Sequence, residues 1–199
     1  MKNLANDIKL LKSAKESLRG VFDDSDLSNL FSDLHKTQLY RRIKSLTENG
    51  YLTRFCRGMY VTEGFDLEVV SQKLSESSYI SFGTILAEHL AIGSIPKFQV
   101  EAVKSGKTRT YSFDKFKIKQ YGTKTSLDFG ITRVNGVRKA DLERAILDCL
   151  YFHLHGTKFY FDIYSDINWD KVDKKKLNTY LTSHYKNKKF ISFVKGIVE

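Results

Sequence analysis

A chain of 199 residues with a formal net charge of +10 has room for one large domain or two small ones, and its charge points to a polyanionic partner, nucleic acid first. Hydrophobic residues at 41% and charged residues at 28% are the balance of a folded chain, which sets aside a disordered one. Cys56 and Cys149 form no Cys-x-x-Cys pair, which argues against a disulfide framework or a zinc module and fits a reducing cytoplasm.

In chain order, lysines interrupt the N-terminal stretch every few residues, so no signal peptide is expected, and no apolar run reaches the roughly 20 residues that cross a bilayer. A soluble cytoplasmic protein with no membrane partner follows as the expectation. Leu4, Ile8, Leu11 and Leu18 recur at helical spacing, and Gly20 closes the pattern. In "VFDDSDLSNLF", Ser25 reads as the N-cap of a second helix with Leu27, Leu30, Phe31 and Leu34 on its apolar side. A third helix runs from about residue 37 to 49 and stops at Asn49-Gly50. "YLTRF" and "MYV" then read as two short strands around "CRG".

The pattern changes near residues 62–66, which divides the chain into domains 1–65 and 66–199. "DLEVVSQKL" is helical, and "SYISFGTILAEHLAIG" opens as a short strand and continues as an apolar helix. Five strands follow: "KFQVEAV", "RTYSF", "FKIKQY", "LDFGITRV" and "GVRK". "KADLERAILDCLYFHL" is a helix with Leu142, Ala145, Ile146, Leu150 and Cys149 on one face, and the Lys-rich tail is helical.

On a wheel of about 100° per residue, Leu39, Ile43 and Leu46 of the third helix face inward. Thr37, Gln38, Arg41, Lys44, Ser45 and Glu48 face out, with Tyr40 and Arg42 flanking the core stripe. These residue types hydrogen-bond to base edges and phosphates. A basic helix is more often only a solvated surface, but this one is third in a compact set and is followed by a ribbon carrying Arg54 and Arg57. That combination points to a winged helix-turn-helix with its third helix in a DNA major groove and its wing on the flanking backbone. The expected fold is therefore α+β: an N-terminal winged helix-turn-helix, then a mixed α/β domain. Residues 97–139 hold 11 Lys and Arg against 3 Asp and Glu. Either these are the solvent side of alternating strands, or Lys104, Lys107, Arg109, Lys115, Lys117 and Lys119 form a second DNA surface.

"VFDDSDLSNLF … LYRRIKSLTENGYLTRFCRGMYV" resembles the N-terminal domain of the AbiEi antitoxins of the abortive-infection AbiE (type IV) toxin–antitoxin systems, with Leu46, Gly50, Tyr51, Leu52, Arg54, Gly58 and Tyr60 carrying the likeness. "SYISFGTILAEHLAIG" and "KADLERAILDCLYF" resemble two further segments of that family, the latter through Glu143, Arg144, Ala145, Ile146, Leu147 and Asp148. The chain departs from the family pattern at Leu90, where Gly is usual, and at Asp141-Leu142, where Thr-Pro is common. The resemblance implies a repressor that binds inverted repeats upstream of its own operon, monomeric in solution and cooperative on DNA. It also implies an antitoxin that counters a nucleotidyltransferase-like toxin without a required stable complex.

Two other readings compete. Asp162, Asp166 and Asp170 are spaced by four, so on a helix they would make a carboxylate stripe able to hold Mg²⁺ for a nuclease or nucleotidyltransferase. A basic protein-interaction module is the other. His153 and His155 lack zinc spacing, and the chain has no G-x-S-x-G, Walker loop or G-x-G-x-x-G. The expectation is a protein that is not an enzyme and has no cofactor or metal.

Overall fold

The computed structural model describes residues 2–32, 35–93, 97–124 and 128–198, and the fold is mixed α and β. Leu34 and Leu127, each assigned above to an element, lie outside those residues. The chain divides into two compact units, Met1–Lys73 and Leu74–Glu199, a few residues beyond the change of pattern at 62–66.

The first unit runs α1 (Lys2–Lys15), β1 (Val21–Asp23), α2 (Asp24–Leu30), α3 (Lys36–Glu48), β2 (Thr53–Cys56), β3 (Met59–Val61) and α4 (Leu67–Leu74). Its core gathers Leu11 of α1, Phe22 of β1, Leu27 of α2, Ile43 and Leu46 of α3, together with Phe31 and Leu52. Each such side chain contributes roughly 1.5–3 kcal/mol when fully removed from water. Gly20 takes a φ of +72°, and a Cβ there would lie 2.8 Å from Thr62 Oγ1, so the turn out of α1 has both the backbone and the space of a glycine. The three strands pair antiparallel in the order β1-β3-β2. β1 is a strand the sequence reading did not anticipate. The N-cap of α2 is Asp23 and not Ser25: its carboxylate accepts from the Asp26 N–H at 2.8 Å, and the Asp26 carboxylate accepts from the Asp23 N–H at 2.9 Å. This reciprocal capping box satisfies two backbone donors, which a cap at Ser25 would leave inside the strand-to-helix turn. α4 closes onto the same corner through Lys73, whose Nζ lies 3.0 Å from Asp23 and 2.5 Å from Asp26.

The second unit is built on a six-stranded sheet of order β6-β7-β5-β4-β9-β8. Its strands are β4 (Tyr79–Ile80), β5 (Gln99–Ser105), β6 (Arg109–Phe113), β7 (Phe116–Thr123), β8 (Ile131–Val134) and β9 (Val137–Ala140). β5 and β7 are parallel over seven residues, and β4 is a two-residue strand held between β5 and β9. Where β4 ends, α5 (Phe82–Glu88) begins; Phe82 is fully buried against Tyr121 and Phe152 although its φ is +56°. α6 (Leu142–Leu154) is buried on every side from Leu142 to Leu150, not along one stripe as expected. A short 3₁₀ turn (Trp169–Lys171), α7 (Lys174–His184) and α8 (Lys188–Val198) complete the unit, and α6 packs against both closing helices.

Total enclosure of α6 explains its polar residues. Arg144 Nε donates to Asp148 Oδ1 at 3.0 Å, and Nη2 donates to the Tyr79 hydroxyl at 2.5 Å. The hydroxyls of Tyr79 and Ser81 donate to Asp148 Oδ2 at 3.0 and 2.8 Å. Burial pushes the Asp148 carboxyl up, against the pull of the guanidinium and the two hydroxyls. The network pins the shortest strand of the sheet to the most buried helix. Glu143 lies outside this network and pairs with Lys176 of α7 at 2.8 Å.

Candidate nucleic-acid interface

α3 presents a sharply divided surface. Ile43 and Leu46 are buried and Leu39 is half-buried, while Lys36, Thr37, Gln38, Arg41 and Lys44 are exposed. Tyr40 is 51% exposed beside them. Ser45 is half-buried, and Lys44 lies 3.6 Å from Glu48 one turn on, a solvent-facing pair worth only a few tenths of a kcal/mol, about 0.3–0.5. Arg42 does not belong with the outward set. Its guanidinium pairs with Asp7 of α1, a carboxylate buried to 2% exposure, and so it fastens α3 to α1. A turn of about 100° per residue leaves Arg41 exposed and brings Arg42 back to α1.

The hairpin β2–β3 turns at Arg57-Gly58, where Gly58 takes a φ of +75°. A Cβ at Gly58 would lie 3.1 Å from Asp24 Oδ2, and the Gly58 carbonyl accepts from the Asp24 N–H at 3.2 Å. The positive φ favours glycine there, and the backbone hydrogen bond ties the hairpin turn to the start of α2. Phe55 is the extra residue of a bulge between Arg54 and Cys56; it points inward against Phe65 at 6.0 Å between ring centroids. Arg57 sits exposed in the turn itself. Arg54 lies farther back, paired across the ribbon with Tyr60, with its Nε donating to the Cys56 carbonyl at 3.4 Å. The Tyr60 phenol is raised by burial and then by the nearby charge of Asp24, with Arg54 acting in the opposite direction and Tyr40 in the same one.

The six cations of the strand block do not form one surface. In β7, Lys117 and Lys119 share a face, because side chains alternate along a strand. The pairings Lys104 to Gly122 and Arg109 to Gln120 place those two residues on the opposite face. Lys107 and Lys115 occupy turns, the latter 4.5 Å over the Phe98 ring. Lys119 is half-buried opposite Glu101 and over Tyr121 at 4.3 Å. The compositional excess is real, but the period of two divides it.

The competing carboxylate stripe does not form, because no helix carries Asp162, Asp166 and Asp170. Asp162 accepts from the N–H groups of Tyr164 and Ser165, while Asp166 accepts from the Asp162 N–H at 2.7 Å. These are turn caps, and Asp170 sits apart on the 3₁₀ turn. Among the described residues no group of three or more His, Cys, Asp or Glu side chains is placed to hold a metal ion. No helix among them is long and apolar enough to cross a membrane.

No family model and no curated protein matches the chain.

Proposed function

We propose that the chain is a DNA-binding repressor whose first unit is a winged helix-turn-helix, with α3 as the recognition helix and the β2–β3 hairpin as the wing. The observation that carries this reading is the exposed set Thr37, Gln38, Arg41 and Lys44 on a helix whose inner face is fully committed, on a unit whose hairpin turn carries the exposed Arg57. The order α1-β1-α2-α3-β2-β3 is the order a winged helix requires. In helix-turn-helix proteins the N-terminal residues of the second motif helix meet base edges. Here those are Thr37, Gln38 and Arg41. Arg54 and Arg57 then bind flanking phosphates, which orients the helix without reading sequence.

Together with the resemblance to AbiEi antitoxins, this reading makes the target a pair of inverted repeats upstream of the chain's own operon, occupied cooperatively by two molecules. The same resemblance supports an antitoxin role against a cognate nucleotidyltransferase-like toxin. A reporter driven by the DNA upstream of this gene tests the first half. The protein lowers reporter output, and Arg41→Ala restores it; full output in the presence of abundant, folded protein would overturn the repressor reading. Growth of cells expressing the neighbouring gene, with and without this chain, tests the second half, and only rescue by the chain agrees with it.

A further inference from the structure

The second unit contains a cavity of about 340 Å³ that the DNA-binding reading does not use. Its size lies at the lower end of small-molecule sites, roughly 300–1,000 Å³. Its floor is the Arg144–Asp148–Tyr79 network, closed on itself by hydrogen bonds of 2.5 to 3.0 Å. Its walls are Val103, Tyr151, Phe152 and Tyr185; the Tyr151 and Tyr185 rings tilt by 43° with centroids 6.4 Å apart. Such walls give water few partners and give a flat apolar ring two aromatic surfaces.

The rim decides the charge of the occupant. It is formed by the end of α7, the link of residues 185–187 and the start of α8, "HYKNKK", in which His184, Lys186 and Asn187 border the cavity and Lys188 and Lys189 follow, all five exposed. The Arg144 charge is balanced by Asp148 3.0 Å away, so selection for an anion falls to the exposed rim and not to the floor. We propose that the cavity binds a small aromatic anion, its ring against Tyr151 and Tyr185 and its anionic group at Lys186.

Titration of the full chain with 8-anilinonaphthalene-1-sulfonate, a fluorescent aromatic sulfonate, tests this without DNA, so its outcome is independent of the repressor reading. The expected result is saturable binding of one dye per chain, weakened at least tenfold by Lys186→Glu and by removal of the sulfonate in N-phenyl-1-naphthylamine. Thr123→Trp, which fills the cavity from the half-exposed end of β7, abolishes it with an unchanged circular dichroism spectrum. Non-saturating fluorescence, or equal binding by the wild type and both variants, would show dye on general apolar surface and overturn the site. Equal affinity for the uncharged analogue would overturn its preference for an anion.

Discussion

An α-helix turns about 100° per residue, which sends Arg41 outward and returns Arg42 to the buried Asp7. Under the proposed reading the two arginines separate binding from stability. Arg41→Ala weakens operator binding by about 1–3 kcal/mol if it reads a base, and leaves the urea midpoint unchanged. Arg42→Ala strands a buried carboxylate and costs about 3 kcal/mol of stability, the lower end of the range for a broken buried pair because Arg42 keeps some solvent contact. Equal effects of the two substitutions on both assays would remove the division of α3. At Leu90 the backbone has a φ of +56° and the side chain is 70% exposed, so little packing offsets the strain. Leu90→Gly is expected to raise stability by about 1 kcal/mol, read as a higher urea midpoint at unchanged slope.

At the scale of elements, the hairpin and the α2–α4 corner make separable contributions. Arg57 stands exposed in the hairpin turn, and under the proposed reading it contacts phosphate and adds to affinity on every sequence alike. Arg57→Ala should lower the slope of log affinity against log salt by about 1 while leaving sequence preference intact. An unchanged slope would place the turn off the DNA. At the corner, burial raises the Asp23 carboxyl, but the Asp26 N–H and Lys73 outweigh it and hold it below its usual 3.8. Burial likewise lowers Lys73, yet Asp26 and Asp23 hold it above 10.5. Asp23 therefore adds stability that is present above its unfolded value and lost as pH falls through the lower folded one. Lys73 adds stability that is present below its own unfolded value and lost as pH rises through the higher folded one. Lys73→Met should lower the urea midpoint at neutral pH, and the gap should narrow as pH falls through the lowered folded value of Asp23. A gap of constant size would mean that the charge of Lys73 contributes nothing.

Which elements were legible follows from their length and the reach of the chemistry that makes them. α3 was legible because thirteen residues give several turns of period, and Asn49-Gly50 ends it locally. β1 was not, since Val21–Asp23 is too short to alternate and gains its pairing only from β3, far along the chain. The N-cap choice was decidable in principle: Asp26 stands three residues after Asp23, the spacing of a capping box, whereas Ser25 has only Ser28 at that distance.

For the whole molecule, composition foretold a basic protein but not where its charge would stand. The six strand-block cations divide between two sheet faces and two turns, because register is a tertiary property that a count cannot hold. The cavity was equally invisible, since β4, β5, β7 and the α7–α8 link meet there only after the sheet forms. The direct test is a mobility-shift titration of the full chain on the duplex upstream of its gene, against a scrambled duplex, at low and near-physiological salt. The account predicts a stepwise shift on the natural duplex, at least about 10³ tighter than on the scrambled one at the higher salt. Equal weak binding to both duplexes, lost as salt rises, would contradict it and reduce α3 to a charged surface.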